Sequence, residues 1–313
     1  MGANKQIMTK EVGLQPIKKD ISLSMPSAAS QQFLVDTINK AGTLPKLNPI
    51  YKNDAAGNID TLTVSSRRIR EHSKDHKPDG VNSIGQGKIP YAVKKVFWDE
   101  WIQDDDVWYN MQVRGENVET TIINLIQGQL AVDLQDLIFN GDISTPDSDP
   151  DKDFLRIIDG FVKRMKKSPY KTDLLDKEPQ LMDFINHVQL LPEKYKNKFD
   201  DITWFITRNT HDKLMAQVSQ RATGFGDAVL QDGKLTRLAG YPIEIVASLQ
   251  SKFAALTPIQ NLKPVFTRQL RYNRTGVGAT AAAKDATYHI IFAYLDAVLR
   301  DVNAVAWMTG NKL

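Results

Sequence analysis

The sequence predicts a chain of mixed helices and strands that associates with other chains, on three observations. A β-branched hairpin spans residues 59–98 and carries an unusually long tip. An amphipathic helix follows over 116–139. The two carry opposite charge. From Tyr51 to Lys95 nine basic residues stand against five acidic, a net of +4; from Asp99 to Asp136 nine acidic residues stand against Arg114 alone, a net of −8. Opposite charge on a projecting arm and the adjoining body steers and registers an interface between copies.

In the hairpin, Ile59, Thr61 and Thr63 share a face of the first strand, Ile59–Ile69, with Leu62 and Val64 interrupting the alternation. The second strand, Lys88–Trp98, alternates more cleanly through Ile89, Tyr91, Val93, Lys95 and Phe97. Pro90 places it at an edge, because proline donates no ladder hydrogen bond. Between them Glu71–Gly87 holds Pro78, Gly80, Gly85 and Gly87. Loops longer than about 12 residues are usually functional or disordered, and this basic one is expected to reach a neighbour. Its candidate interface residues are Arg67, Arg68, Arg70, Lys74 and Lys77; those of the acidic side are Asp104, Asp105, Asp106, Glu116 and Glu119.

The helix is read from Val118, Ile122, Ile126, Leu130, Leu134, Leu137 and Ile138, which step by three or four along one stripe. Glu116 and Glu119 fall in its first turn, where acids complement the macrodipole. Gly128 costs about 1 kcal/mol relative to alanine in mid-helix, so a bend or a close contact is expected there. Gly141 is placed to cap the end.

Elsewhere, residues 1–28 read as an extended polar arm, and Phe33, Leu34, Ile38 and Ala41 mark a short helix over Ser30–Lys40. Pro45 and Pro49 then enforce an extended path. Ser144–Asp153 is an acidic loop, and Gln180–Leu191 a helix ended by Pro192. Ile202–Thr207 reads as a buried strand, with Asn209 or Thr210 capping the helix that follows, up to about Gln220. A glycine-rich turn precedes a strand at Tyr241–Val246. Pro264–Tyr272, a small-residue loop at Gly276–Lys284 and a long strand region from Thr287 to Met308 complete the chain.

Composition narrows the function. At 313 residues the chain can bury a sizeable core. Its net charge of +3 is far below that of a whole-chain nucleic-acid binder. The absence of cysteine removes disulfides, thiolate zinc sites and cysteine nucleophiles, and fits a reducing compartment. The first twenty residues contain no continuous apolar core, so no secretory signal is expected. The apolar run from Ile290 to Leu295 is much shorter than the roughly 20 residues a bilayer span needs. A soluble protein made in the cytoplasm is expected.

No catalytic constellation emerges. His72 and His76 lie four apart, but serine follows the first where a zincin needs glutamate. Asp147, Asp149, Asp151 and Asp153 imitate the start of a calcium loop, yet Lys152 and Ile158 occupy the positions of its glycine and closing glutamate. The glycines of Gly276–Ala281 lack the βαβ context of a dinucleotide fingerprint. Gly80–Gly85 is one residue too long for a nucleophile elbow, and Gly85–Lys88 lacks the spacing of a phosphate loop. His187, His211 and His289 stand alone and read as surface or satisfied core residues. Lys163, Arg164, Lys166 and Lys167, with Lys171 and interleaved by Phe161 and Tyr170, are the candidates for sequence-independent phosphate contact.

The order of elements resembles the major capsid proteins of tailed bacteriophages: polar arm, basic hairpin, acidic linker, long helix and Gly-Asp turn, then Leu190-Leu191-Pro192, Thr203-Trp204-Phe205-Ile206 and Leu238-Ala239-Gly240-Tyr241-Pro242-Ile243. In that comparison Phe97–Asn110 is similar to the lead-in of the spine helix, and Phe139-Asn140-Gly141-Asp142 to its terminal turn. The resemblance spans roughly residues 50–310. It implies an α+β shell fold with an N-terminal arm (1–50), an extended loop (51–98), a peripheral domain with the spine helix (99–192), an axial domain (193–262) and a returning C-terminal β segment (263–313).

It further implies a structural protein without catalysis or cofactor. Such a protein assembles into hexamers and pentamers of an icosahedral head around double-stranded DNA, in the host cytoplasm, and ends in the virion. With about fifty residues before the hairpin, a separate scaffolding protein or a trimmed form is implied, beside a portal and no membrane. Some members cross-link an extended-loop lysine to a neighbour, which makes Lys74, Lys77 and Lys88 candidate donors. The alternative readings are a bacterial nanocompartment shell of the same fold and a soluble enzyme.

Overall fold

The computed structural model describes residues 23–24, 27–64, 84–103, 118–196, 201–219, 230–231, 234–267 and 270–311. In chain order these form β1 (Leu23–Ser24), α1 (Ser27–Lys40), β2 (Ile50–Lys52), β3 (Ala56–Val64), β4 (Ile84–Ala92) and β5 (Lys94–Gln103). There follow α2 (Val118–Asn140), α3 (Lys152–Leu155), α4 (Phe161–Met165), β6 (Lys171–Asp173), α5 (Leu181–His187), β7 (Ile202–Ile206) and α6 (Arg208–Ser219). The remainder is β8 (Leu230–Gln231), β9 (Lys234–Leu235), β10 (Arg237–Leu238), β11 (Tyr241–Ile245), β12 (Phe253–Pro258), β13 (Leu262–Thr267), β14 (Arg271–Thr275), α7 (Ala279–Lys284), β15 (Ala286–Leu299) and β16 (Ala306–Thr309).

Two six-stranded sheets carry the fold. The first is organised on β15, the apolar run seen in the sequence. One of its edges pairs antiparallel with β5 from Ala286↔Gln103 to Leu295↔Lys94. The other edge is shared, by β14 over the first half and β13 over the second. The second sheet runs β10-β11-β7-β12-β16-β6, and its central strands β7, β12 and β16 are buried on both faces. Side chains alternate across a strand. On β7, β12 and β16, Phe205, Phe253, Ala255 and Trp307 therefore enter one core, while Trp204, Ala254, Leu256 and Met308 enter another. That double burial explains why Ile202–Ile206 has no exposed position.

Helix α2 bridges the sheets through the larger core, with Ile122, Ile126, Leu130, Leu134, Leu137 and Ile138 buried as its stripe requires. Its buried polar residues are satisfied by α1 and the turn after it. Gln127 donates to Phe33 O and accepts from Lys40 Nζ, and Gln135 accepts from the Thr43 N–H. The four apolar residues read as this helix's stripe, Phe33, Leu34 and Ile38 within α1 and Ala41 just past its end, are all buried.

Glycine settles how α2 ends. Gly141 does not adopt a positive φ; it is there for close approach. A Cβ on it would lie 2.5 Å from Ile158 O and 2.7 Å from Leu137 O. Gly160 meets the same helix end, and a Cβ there would lie 2.8 Å from Gly141 N, Ile138 O and Phe139 O. Of the bend or close contact expected at Gly128, no close contact is found among the described residues, because nothing lies within 4 Å of the position its Cβ would take.

Other local readings shift. The N-cap of α6 is Thr207, whose Oγ1 accepts from the Thr210 N–H at 3.0 Å, not Asn209 or Thr210. The helix over 180–191 tightens into a 3-10 turn after His187. The small-residue loop contains the helix α7, since its alanines favour helix once Gly278, at φ +115°, has turned the chain. At Leu238–Tyr241 the paired ends of β10 and β11 enclose Ala239 and Gly240, with φ of 49° and 88°. Both central residues of this tight hairpin are left-handed.

Candidate assembly interface

The hairpin of the sequence is present, but its arms are β3 and β4, paired from Ala56↔Ala92 to Val64↔Ile84. The alternation read as one strand over Lys88–Trp98 is two strands with different partners. β4 pairs with β3, then Val93 breaks the run, and β5 lies along β15. The Val93 N–H turns to Ala55 O at 2.8 Å, and so belongs to the hairpin side of the break. Of Phe97–Asn110, compared with the lead-in to the long helix, Phe97–Gln103 is sheet and the rest lies outside the described residues.

β3 and β4 form a two-stranded sheet. Of their described side chains, only Tyr91 is buried. It packs at the root with Val265 and Val298, joined by Ile59, Ile89 and Val93. Gly57, opposite Tyr91, leaves room for that ring; a Cβ there would lie 2.9 Å from the hydroxyl. Isolated two-stranded hairpins are marginal in water.

The root contains a residue the sequence reading missed. Asp296 on β15 is only 4% exposed. Its Oδ2 accepts from the Ala92 N–H at 3.0 Å; its Oδ1 accepts from Arg164 Nη2 at 2.7 Å and from the Ala297 N–H at 2.8 Å. Burial pushes its pKa up, opposed by the Ala92 N–H and the Arg164 charge. The available signal was its isolation, as the lone charge between Ile290 and Leu299.

Between β5 and α2 lies a cleft of about 240 Å³, floored by Val96, Leu130, Leu134 and Ile291 and edged by Asp99 and Asp133. Phe97 on its rim is 66% exposed, and on the outer face of α2 Leu125 and Val132 are 61% and 57% exposed. Gly128 lies between those two, one turn from each. Two members of the acidic block, far apart in sequence, thus meet at one apolar cleft.

The other predicted residues divide. Arg67, Arg68, Arg70, Lys74, Lys77, Asp104, Asp105, Asp106 and Glu116 lie outside the described residues, as does the side chain of Glu119. The basic group on and after α4 is largely engaged within the chain. Lys163 pairs with Asp142, Arg164 with Asp296, and Lys166 donates to Gln250 Oε1 at 3.0 Å. Lys167 is exposed. Asp147 of the acidic loop meets Arg156 and Lys152. Among the described residues no three His, Asp or Glu side chains gather as a metal site, and no described helix is long and apolar enough to cross a membrane. All three singled-out histidines are buried, with ring nitrogens meeting Thr172 Oγ1 (His187), Leu235 O (His211) and the Tyr272 hydroxyl (His289).

The architecture of a projecting hairpin, a long helix and two sheets is found over nearly the whole chain in the satellite phage P4 procapsid that includes the size determination (Sid) protein. The TM-score is 0.66, at 12% identity over 99% of this chain and 98% of that one. The chain has the phage capsid shell fold. The capsid of cyanophage P-SCSP1u matches with a TM-score of 0.54 at 13% identity, over 96% of this chain and 93% of that one. The native gene transfer agent capsid matches at 0.54 and 14%, over 86% and 96%. In sequence, the chain is 28% identical over 162 residues to YqbE of Bacillus subtilis (strain 168), assigned as a prophage capsid protein. That match covers 52% of this chain and 49% of YqbE, so the chain spans about half the length of this curated relative. No protein-family model matches.

Proposed function

We propose that this capsid-fold chain is the shell subunit of a phage head, a structural and non-catalytic protein. It assembles with copies of itself into hexamers and pentamers around double-stranded DNA and becomes part of the virion. The observation that carries the reading is the hairpin: nine-residue arms paired with each other, whose one buried side chain among the described residues, Tyr91, lies at the root, on a fold shared with a phage procapsid. Such an element needs cover from outside its own chain.

The cover we propose is the acidic side of the next copy. Arg67, Arg68, Arg70, Lys74 and Lys77 of one hairpin meet the acidic block of the next copy, which includes Asp104, Asp105, Asp106, Glu116 and Glu119 and whose described members Asp99 and Asp133 edge the cleft at Phe97. Exposed ion pairs contribute about 0–1 kcal/mol each, so the charges register the contact while Phe97, Leu125 and Val132 supply apolar area. Contact with packaged DNA rests first on Lys167, since its three neighbours are engaged within the chain.

Charge reversal tests this. The triple variant Arg67→Glu, Arg68→Glu, Arg70→Glu should leave the subunit folded by circular dichroism and abolish closed shells in negative-stain micrographs. Normal shells from that variant would refute the hairpin contact, and absence of the chain from phage heads purified from their native source would refute the shell reading itself. Nucleic acid inside particles purified from their native source separates a head from an empty or cargo-filled compartment.

A further inference from the structure

The place where the hairpin leaves the sheet is held by a side chain. β5 follows β15 until Lys94 faces Leu295, while β15 continues to Leu299 against β13 on its other edge. Continued pairing would set Val93 and Ala92 against Asp296 and Ala297. Instead Val93 turns its N–H to Ala55 O, and the Ala92 N–H is met by the Asp296 carboxylate. The second carboxylate oxygen takes Arg164, whose Nε donates to Asp159 O at 2.8 Å. Arg164 belongs to α4, and α4 is fixed to the end of α2 by the edge-on contact of Phe161 with Phe139, their ring centroids 5.4 Å apart.

From this we infer that Asp296 is the positioning residue of the hairpin. Its carboxylate replaces the missing ladder carbonyl and, with Arg164, fixes the angle at which β3 and β4 leave the sheet. Val93, the single residue between β4 and β5, is the pivot. A buried carboxylate in an apolar strand is costly unless it is paired and hydrogen-bonded, and this one spends its bonds on the hairpin root and on α4. The inference holds whatever the hairpin meets, and so stands apart from the proposed assembly.

Hydrogen exchange on the unassembled subunit tests it. Asp296→Ala removes both ties and should speed exchange of the amides in residues 84–92 by roughly tenfold or more, with residues 262–267 and 286–295 unchanged. Arg164→Met removes the tie to α4 and the cation beside the carboxylate but leaves the Ala92 N–H bond, and should give a smaller increase, about threefold, in the same segment. Unchanged exchange at 84–92 in both variants overturns the inference, as does an equal increase throughout the chain. Should Asp296→Ala fail to fold, Arg164→Met decides by the same two results.

Discussion

Two glycines near one helix should respond to the same substitution with opposite sign. In Gly160→Ala the new Cβ would lie 2.8 Å from three backbone atoms, Gly141 N, Ile138 O and Phe139 O. No rotamer change relieves a clash with backbone, so α4 and the end of α2 must separate. The Gly160 N–H to Gly141 O bond, 2.7 Å long, stretches with them. Overpacking costs about 1–3 kcal/mol and a weakened buried hydrogen bond about 1 kcal/mol more, for a total of roughly 2–4 kcal/mol. Gly128→Ala adds its methyl where nothing lies within 4 Å, on a helix of 23 residues. There the gain in helix propensity acts alone, about 0.5–1 kcal/mol of stabilisation. Urea titration of the unassembled subunit, followed by tryptophan fluorescence, reads both. A Gly160→Ala midpoint equal to wild type would refute the close approach, and a lowered Gly128→Ala midpoint would refute the open face.

Ala239→Asn should stabilise the subunit by about 0.5–1 kcal/mol, because asparagine tolerates the left-handed φ of a two-residue hairpin turn better than alanine; a raised melting temperature checks it. His187 should make stability depend on acid. Burial holds its pKa at about 4, below the ordinary 6.5. The unfolded chain therefore takes up a proton that the folded chain refuses. The contribution is whole above pH 6.5 and is lost as pH falls toward 4, by up to about 3 kcal/mol. Urea midpoints from pH 7 to 4 should fall more steeply for the wild type than for His187→Gln; parallel curves would remove His187 as the cause.

What the sequence made legible was whatever depends on one element's own period. The stripe of α2, the four core residues of α1 and the buried run at Ile202–Ile206 follow from spacing alone, because burial on one or both faces writes itself into the pattern. The break at Val93 escaped for the same reason. Ile89, Tyr91, Val93, Lys95 and Phe97 alternate without interruption, and alternation reports faces, not the partner strand. Only the long-range pairing of β5 with β15, some two hundred residues apart in the chain, separates hairpin from sheet. At Gly128 the sequence suggested a close contact, and the open surroundings found there are a property of the whole fold. Asp296 left a trace, an acid alone in an apolar strand, that becomes meaningful only when Ala92 and Arg164 are placed beside it.

The described chain therefore divides into parts that complete themselves and parts that do not. The double-faced second sheet, the buried glutamines of α2 and the glycine-packed helix end are satisfied internally. Phe97 at the cleft, and Leu125 with Val132 on either side of Gly128, are exposed apolar side chains that are not. Surface charge alone would make a weak seat for a partner, and a bare apolar patch would make an indiscriminate one. An apolar cleft edged by Asp99 and Asp133 combines the two. In the proposed assembly, contact area there would give affinity and the carboxylates would select a basic segment over an acidic one.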